Sequence, residues 1–393
     1  MTLLSENTSG NKKRAFSFTG AAGEYFRIWI VNLLLSIVTL GIYTAWAKVR
    51  RLRYFYGNSW LDGHNFEYHA KPIQILIGRI IVVVVLVLLN IVSAISPTIS
   101  LLVLIPYLLA LPWLINKALA FNARMTSYRN VRFGFEGSYG SAFWVFICLP
   151  LGLPLVVFGI IFAIIALMGL PSAGEADPAT LYPIIALVLI GFVGYVLLLP
   201  YISKMTNTYI ANNTKFGGAR FNAEIAMGAL YRNLGLALLV GLMLPLVVSI
   251  LLGFVIGVSA FTGDTGTGAQ SALEGLSVFG GLLFYLLALV GYMVYSAGVR
   301  NIAFNATTLD GKHQLRSTLS RFRYAWIMVS NLFVSIFSVG LMIPWAAVRK
   351  WRYLADQTAI EGPALDDFIS EREAEGNVTA AEYLDIDGID FGL

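Results

Sequence analysis

NLLLSIVTLGIYTAWAKVR at residues 32–50 and NLFVSIFSVGLMIPWAAVR at residues 331–349 are two versions of one pattern. Asn32, Ser36, Gly41, Trp46, Val49 and Arg50 return as Asn331, Ser335, Gly340, Trp345, Val348 and Arg349. The match continues outward without a gap, from Tyr25, Arg53, Tyr54 and Gly63 to Tyr324, Arg352, Tyr353 and Gly362. Self-similarity of this kind marks an architecture built by duplication of one unit. It speaks to shape before activity.

With 58% hydrophobic residues, 12% charged residues and a mean hydropathy of +0.74, the chain carries too little charge to cover a soluble domain of 393 residues. An integral membrane protein is implied. Its apolar runs reach the roughly 20 residues that cross about 30 Å of hydrocarbon as a helix, and they lack the alternation of a membrane barrel strand. The expected fold is an all-α polytopic membrane protein of about six to eight transmembrane helices, with short β-hairpin-like loops on the cytoplasmic side. A polar N-terminal tail (1–15) precedes a single membrane domain (16–360), and an acidic tail (361–393) follows. Membrane segments fall at about 28–46, 73–95, 98–118, 142–169, 181–203, 234–261, 277–299 and 325–347. Met1 to Arg14 has no apolar core, so no removable signal peptide is expected. The lone cysteine, Cys148, lies in an apolar run and reads as a small core residue.

Charge orients the chain. Segments 47–72, 117–141, 204–233 and 300–324 are rich in Lys and Arg, whereas the connections at 96–99, 170–182 and 262–276 contain neither. Lys and Arg near helix ends are retained inside, so the first group faces the cytoplasm. Segments 28–46 and 325–347 resist this scheme, because Arg27 and Lys48 flank one, and Arg323 and Arg349 flank the other. Either both dip into the membrane and return, or eight ordinary spans tolerate a few translocated charges. A re-entrant backbone needs shielding by protein, since lipid cannot satisfy its amides.

A basic, aromatic cassette recurs where helices meet the cytoplasmic loops. Tyr54, Phe121, Tyr209, Ile302 and Tyr353 each lead, nine residues on, to a turn position at Gly63, Asn130, Gly218, Gly311 and Gly362. Asp62-Gly63, Gly217-Gly218 and Asp310-Gly311 supply positive φ at little cost, which predicts tight hairpins. Phe16-x-Phe18 and Phe133-x-Phe135 alternate like strands with one buried side. Arginine offers paired donors to phosphate, and neighbouring rings offer faces to a cation or a ligand. Arg50, Arg53, Trp46 and Tyr54, with Arg349, Arg352, Trp345 and Tyr353, are therefore candidate contacts for an anion or a lipid headgroup. Interfacial aromatics and positive-inside charges are also what any inner-membrane protein carries. Asn32 and Asn331 are candidate polar lining within the membrane, or helix-to-helix hydrogen bonds.

Other chemistry is missing from the sequence. No Asp or Glu stands at mid-span, against ion coupling through carboxylates. No phosphate-binding loop, dinucleotide fingerprint or nucleophile elbow is present, so no enzymatic activity, cofactor or metal is expected. The tail from Glu361 to Leu393 holds ten acidic residues and one basic residue, Arg372, and could lie on the basic face.

The stretch from Asn32 to Tyr43, followed by Trp46-Ala47-Lys48-Val49-Arg50, Tyr54 and Leu61-Asp62-Gly63, resembles the YjgN family of bacterial inner-membrane proteins. The resemblance covers about Phe16 to Gly362 and implies a multi-pass location in the inner membrane. It implies no catalytic residue, since the family has no assigned biochemical role. Met342-Ile343-Pro344 departs from the first copy's Tyr43-Thr44-Ala45. The functional expectation is binding or transport of an anionic small molecule or lipid, with the bilayer, including anionic lipid, as partner and nucleic acid excluded. The alternative is a scaffold or regulator that recruits partners through the basic face and the acidic tail. The oligomeric state is left open.

Overall fold

The computed structural model describes residues 12–168, 178–243 and 267–363, with scattered positions between 245 and 254 and at 366, 369 and 370. Ten short strands close into one antiparallel barrel. They are β1 (Lys12–Phe18), β2 (Ser59–Leu61), β3 (His64–Tyr68), β4 (Thr126–Tyr128), β5 (Val131–Phe135), β6 (Thr214–Phe216), β7 (Ala219–Ala223), β8 (Thr307–Leu309), β9 (His313–Ser317) and β10 (Thr358–Gly362). Tight turns join β2 to β3, β4 to β5, β6 to β7 and β8 to β9. Asp62 and Gly63 sit at φ 48 and 80, and Arg129 and Asn130 at φ 49 and 66, the positive pair that a two-residue hairpin turn requires. The chain's two ends complete the circle: Arg14 of β1 pairs with Ile360 of β10, and Phe16 pairs with Leu61 of β2.

Helices fill every other connection. β1 leads through α1 (Ala22–Val38) and α2 (Thr44–Gly57) to β2, and β3 through α3 (Pro72–Ile95) and α4 (Pro97–Arg124) to β4. β5 continues into α5 (Tyr139–Phe143), a wider π-helical stretch (Trp144–Gly152), α6 (Leu153–Met168) and α7 (Pro178–Asn213). α8 (Met227–Leu238) and α9 (Thr267–Asn305) lie between β7 and β8, and α10 (Arg321–Phe337) and α11 (Ile343–Asp356) between β9 and β10. Because the strands joined by each helical connection are hydrogen-bonded neighbours, all these helices hang from one rim and all the tight turns lie at the other. Among the described residues five helices are long and apolar enough to cross a membrane: Pro72–Val92, Tyr139–Leu167, Leu181–Asn213, Met227–Val247 and Val278–Asn305. The pairs α1–α2 and α10–α11 are shorter hairpins that leave the rim and return to it. Their tips are bare and apolar, with Leu40 at 94% and Val339 at 92% exposure.

The expected all-α fold of about six to eight transmembrane helices is therefore corrected. The loop hairpins are not separate decorations; they pair edge to edge into a closed sheet beneath five candidate spans. Three- and five-residue strands are too short to be stable alone, and closure removes the open edges that each hairpin would otherwise expose. Leu61, Tyr128, Phe216, Leu309 and Ile360, one from each unit, meet in a packed interior with Phe16, Phe66, Phe133, Phe221 and Leu315 around them. The barrel is a filled core.

Each helix entering the barrel is stopped in the same way. Its last carbonyls lack partners within the helix. The first residue of the following strand is a hydroxyl that donates back to one of them: Ser59 to Phe55 O (2.8 Å), Thr126 to Asn122 O (2.8 Å), Thr214 to Ile210 O (2.6 Å), Thr307 to Ala303 O (2.7 Å) and Thr358 to Leu354 O (2.6 Å).

Candidate functional site

The cassette tyrosines fix where each helical hairpin begins. The hydroxyls of Tyr54, Tyr209 and Tyr353 donate to the carbonyls of Ala21 (2.8 Å), Ser138 (3.2 Å) and Ser320 (3.2 Å), the residues that precede the first helix of their own hairpins. Burial, then the neighbouring Glu24, pushes the Tyr54 phenol up to about 12. The preceding cassette position holds the next hairpin. Arg53 donates from Nε to Tyr68 O (3.3 Å) and from Nη2 to Ala70 O (3.2 Å), while Arg352 Nη2 donates to Gly20 O (2.8 Å). Asn301 does the same work for α10 through Leu319 O (2.9 Å).

The two matching segments then part company. In the second, Asn331 is buried and its side chain spans α10 and α11, donating to Ala346 O (3.0 Å). Its oxygen accepts from Arg349 Nη1 (3.1 Å), which also donates to Ser330 Oγ (2.7 Å), and the Arg349 guanidinium lies 5.1 Å from the Trp345 ring centroid. In the first segment Asn32 is equally buried, but its oxygen has no hydrogen-bond partner among the described residues. Arg50 is exposed and lies 5.8 Å from the Tyr43 ring, which stacks on Trp46 at 5.9 Å.

The second arrangement opens onto a cavity of about 480 Å³ between α10, α11 and the first turn of α1. Arg323, Arg349 and Arg352 line it with Trp326, Trp345 and Tyr353, and Ala22 closes its α1 side. Arg323 lies 5.5 Å over the Tyr353 ring. Four sequence candidates, Trp345, Arg349, Arg352 and Tyr353, thus come together, with Asn331 tied to them through Arg349. Arg323 and Trp326 belong to the same site. They escaped notice because their counterparts at the matching offset are Glu24 and Arg27. One carboxylate, Asp356, also lines the cavity, and burial raises its pKa while the Arg352 guanidinium opposes the shift. In the first segment Arg53 faces a separate groove of about 340 Å³ with Phe66, Tyr68 and His69, away from Arg50 and Trp46. Among the described residues no three His, Cys, Asp or Glu side chains are grouped to hold a metal.

Five apolar helices suspended from one rim of a filled barrel, with a basic, aromatic cavity beside it, define a multi-pass integral membrane protein. The chain belongs to the family described as "Bacterial protein of unknown function (DUF898)", whose pattern matches residues 13–386. It is 26% identical over 363 residues to "Inner membrane protein YjgN" of Salmonella typhimurium, covering 91% of this chain and 90% of that protein. The protein of the same name from Escherichia coli O157:H7 is 27% identical over 365 residues, covering 90% and 89%. The bacterial inner membrane is therefore its location. No solved structure matches the chain.

Proposed function

We propose that this protein is a non-enzymatic membrane protein that binds an anionic lipid headgroup in the cavity between α10, α11 and α1. The observation that carries this reading is three arginines facing one cavity with two tryptophans and a single carboxylate. Guanidinium groups match phosphate oxygens with paired donors, and indole rings prefer the depth where headgroup meets acyl chain. The positive-inside pattern puts the barrel in the cytoplasm and the cavity at the inner leaflet. The helical pair α10–α11, whose apolar tip is at Val339, would then dip into that leaflet beside the bound lipid. Passage of the ligand across the membrane is a further step of the same reading, with Asn331 and Arg349 as its polar contacts.

The test is native mass spectrometry of the protein in nanodiscs of defined lipid, comparing phosphatidylglycerol with phosphatidylcholine and with soluble glycerol phosphate. Selective retention of phosphatidylglycerol that falls about ten- to a hundredfold in Arg323→Gln, on the scale of one charge-assisted contact, is the expected result. Equal retention of neutral and anionic lipid by both proteins would refute the reading. It would move the weight to a scaffold that recruits partners through the barrel and tail.

A further inference from the structure

The turn joining β4 to β5 is unlike the others. Asp62-Gly63, Gly217-Gly218 and Asp310-Gly311 use residue types that accept left-handed backbone cheaply, but Arg129 holds φ 49 with a full side chain. That side chain has a distant partner. Arg129 Nη1 donates to Asp366 Oδ1 at 2.6 Å, across 237 residues of sequence. Three residues on, Ile369 is 2% exposed and packs in the same cluster as Leu61, Tyr128, Phe216, Leu309 and Ile360, the layer next to the turns. At this rim Arg14 is buried and donates to Asp62 Oδ2 (3.0 Å) and Gly362 O (3.2 Å), so the charged edge is built around an apolar centre.

We propose that the turn-side mouth of the barrel is a recognition site for a short peptide segment with an aspartate followed three residues later by an aliphatic side chain, and that Asp366 and Ile369 occupy it in cis. The aspartate is read by Arg129 and the aliphatic group by the apolar layer. The attachment is light. Asp366 keeps 72% of its side chain exposed, so its ion pair is open to water and salt. A site of this kind exchanges its own segment for a like segment of a partner protein. This reading does not depend on the lipid cavity, which lies at the opposite rim.

The probe is a fluorescent synthetic peptide spanning residues 361–375, added to full-length protein in detergent. Wild type, with its own segment in place, is expected to bind it at least about tenfold more weakly than Asp366→Lys or Ile369→Asp protein, whose segments are released. Adding Arg129→Glu to either variant should abolish binding, and a peptide carrying Asp366→Lys should restore it. Asp366→Lys alters an exposed side chain, so it reports even where Ile369→Asp fails to fold. Equal binding by wild type and Asp366→Lys protein, no binding by either, or indifference to Arg129→Glu would each overturn the proposal.

Discussion

Replacing Arg53 with alanine removes the donors on two backbone carbonyls, Tyr68 O at 3.3 Å and Ala70 O at 3.2 Å, where β3 gives way to α3. Ala70 is fully buried and Tyr68 is 5% exposed, so water has poor access to replace the guanidinium. Hydrogen bonds from a charged donor contribute roughly 1.5–3 kcal/mol each, and Arg53 is itself exposed, which brings the expected loss down to about 2–4 kcal/mol. Arg53→Lys keeps the charge but not the fork, and should fall between wild type and alanine. The assay is denaturant unfolding in detergent, paired with hydrogen exchange at the first turn of α3, where protection should drop. Phosphatidylglycerol retention should be unchanged. A loss below about 0.5 kcal/mol with unaltered exchange would refute the clamp, because that is the scatter of ordinary surface substitutions. Stripping of bound lipid at unchanged stability would return Arg53 to the ligand site.

Asp356 lines the proposed lipid site with a carboxyl whose pKa is raised, so it loses its charge as pH falls through a range above the usual carboxylate one, and anion binding should strengthen there. Asp356→Asn should tighten phosphatidylglycerol binding at neutral pH by about two- to fivefold and flatten that pH dependence in a titration. The two short hairpins should be inaccessible at their tips. With Cys148 replaced, single cysteines at Leu40 and Val339 are expected to resist a membrane-impermeant thiol reagent from both faces, and labelling from the outside would show that these segments cross. The two asparagines should behave oppositely. Asn331→Leu breaks the bond to Ala346 O and leaves Arg349 without one partner, costing about 2–4 kcal/mol, whereas Asn32→Leu removes an oxygen with no partner among the described residues and should be neutral or mildly stabilising. Equal costs in denaturant unfolding would show that the two environments do not differ.

Composition and apolar run length made the membrane class legible, because hydrocarbon imposes its length on any helix that crosses it. The turns were legible for a local reason: Asp62-Gly63 and Asp310-Gly311 are residue pairs selected by positive φ. Barrel closure was not, since β1 meets β10 across almost the whole chain and no local signal records a pairing between strands this short and this far apart. The five hydroxyls from Ser59 to Thr358 did leave a trace, a Ser or Thr at a fixed step after each helix-closing residue, whose meaning emerges only when the helix end is known. Half of the site was harder. An arginine among aromatics reads the same whether it lines a cavity, as Arg349 does, or meets a backbone carbonyl, as Arg53 does. Arg323 and Trp326 were invisible to a search for matching positions, because they are where the two segments differ.

That difference sets the charge of the cavity at the second segment apart from the matching place in the first. The position held by Arg323 is Glu24 in the first segment, where the carboxylate accepts a hydrogen bond from Tyr54 at 3.2 Å. A negative charge there repels an anion that the arginine would attract, and at a few ångströms of separation near a protein surface such a reversal amounts to several kcal/mol. Arg349 is folded inward and oriented by Asn331 and Ser330, whereas Arg50 projects to the surface and leaves Asn32 behind. Pro344, buried at the start of α11, replaces Ala45 and sets that helix on a fixed entry. Shared residues supply part of the cavity, Trp345, Arg349, Arg352 and Tyr353, and it is completed by Arg323 and Trp326, which stand where the two segments differ.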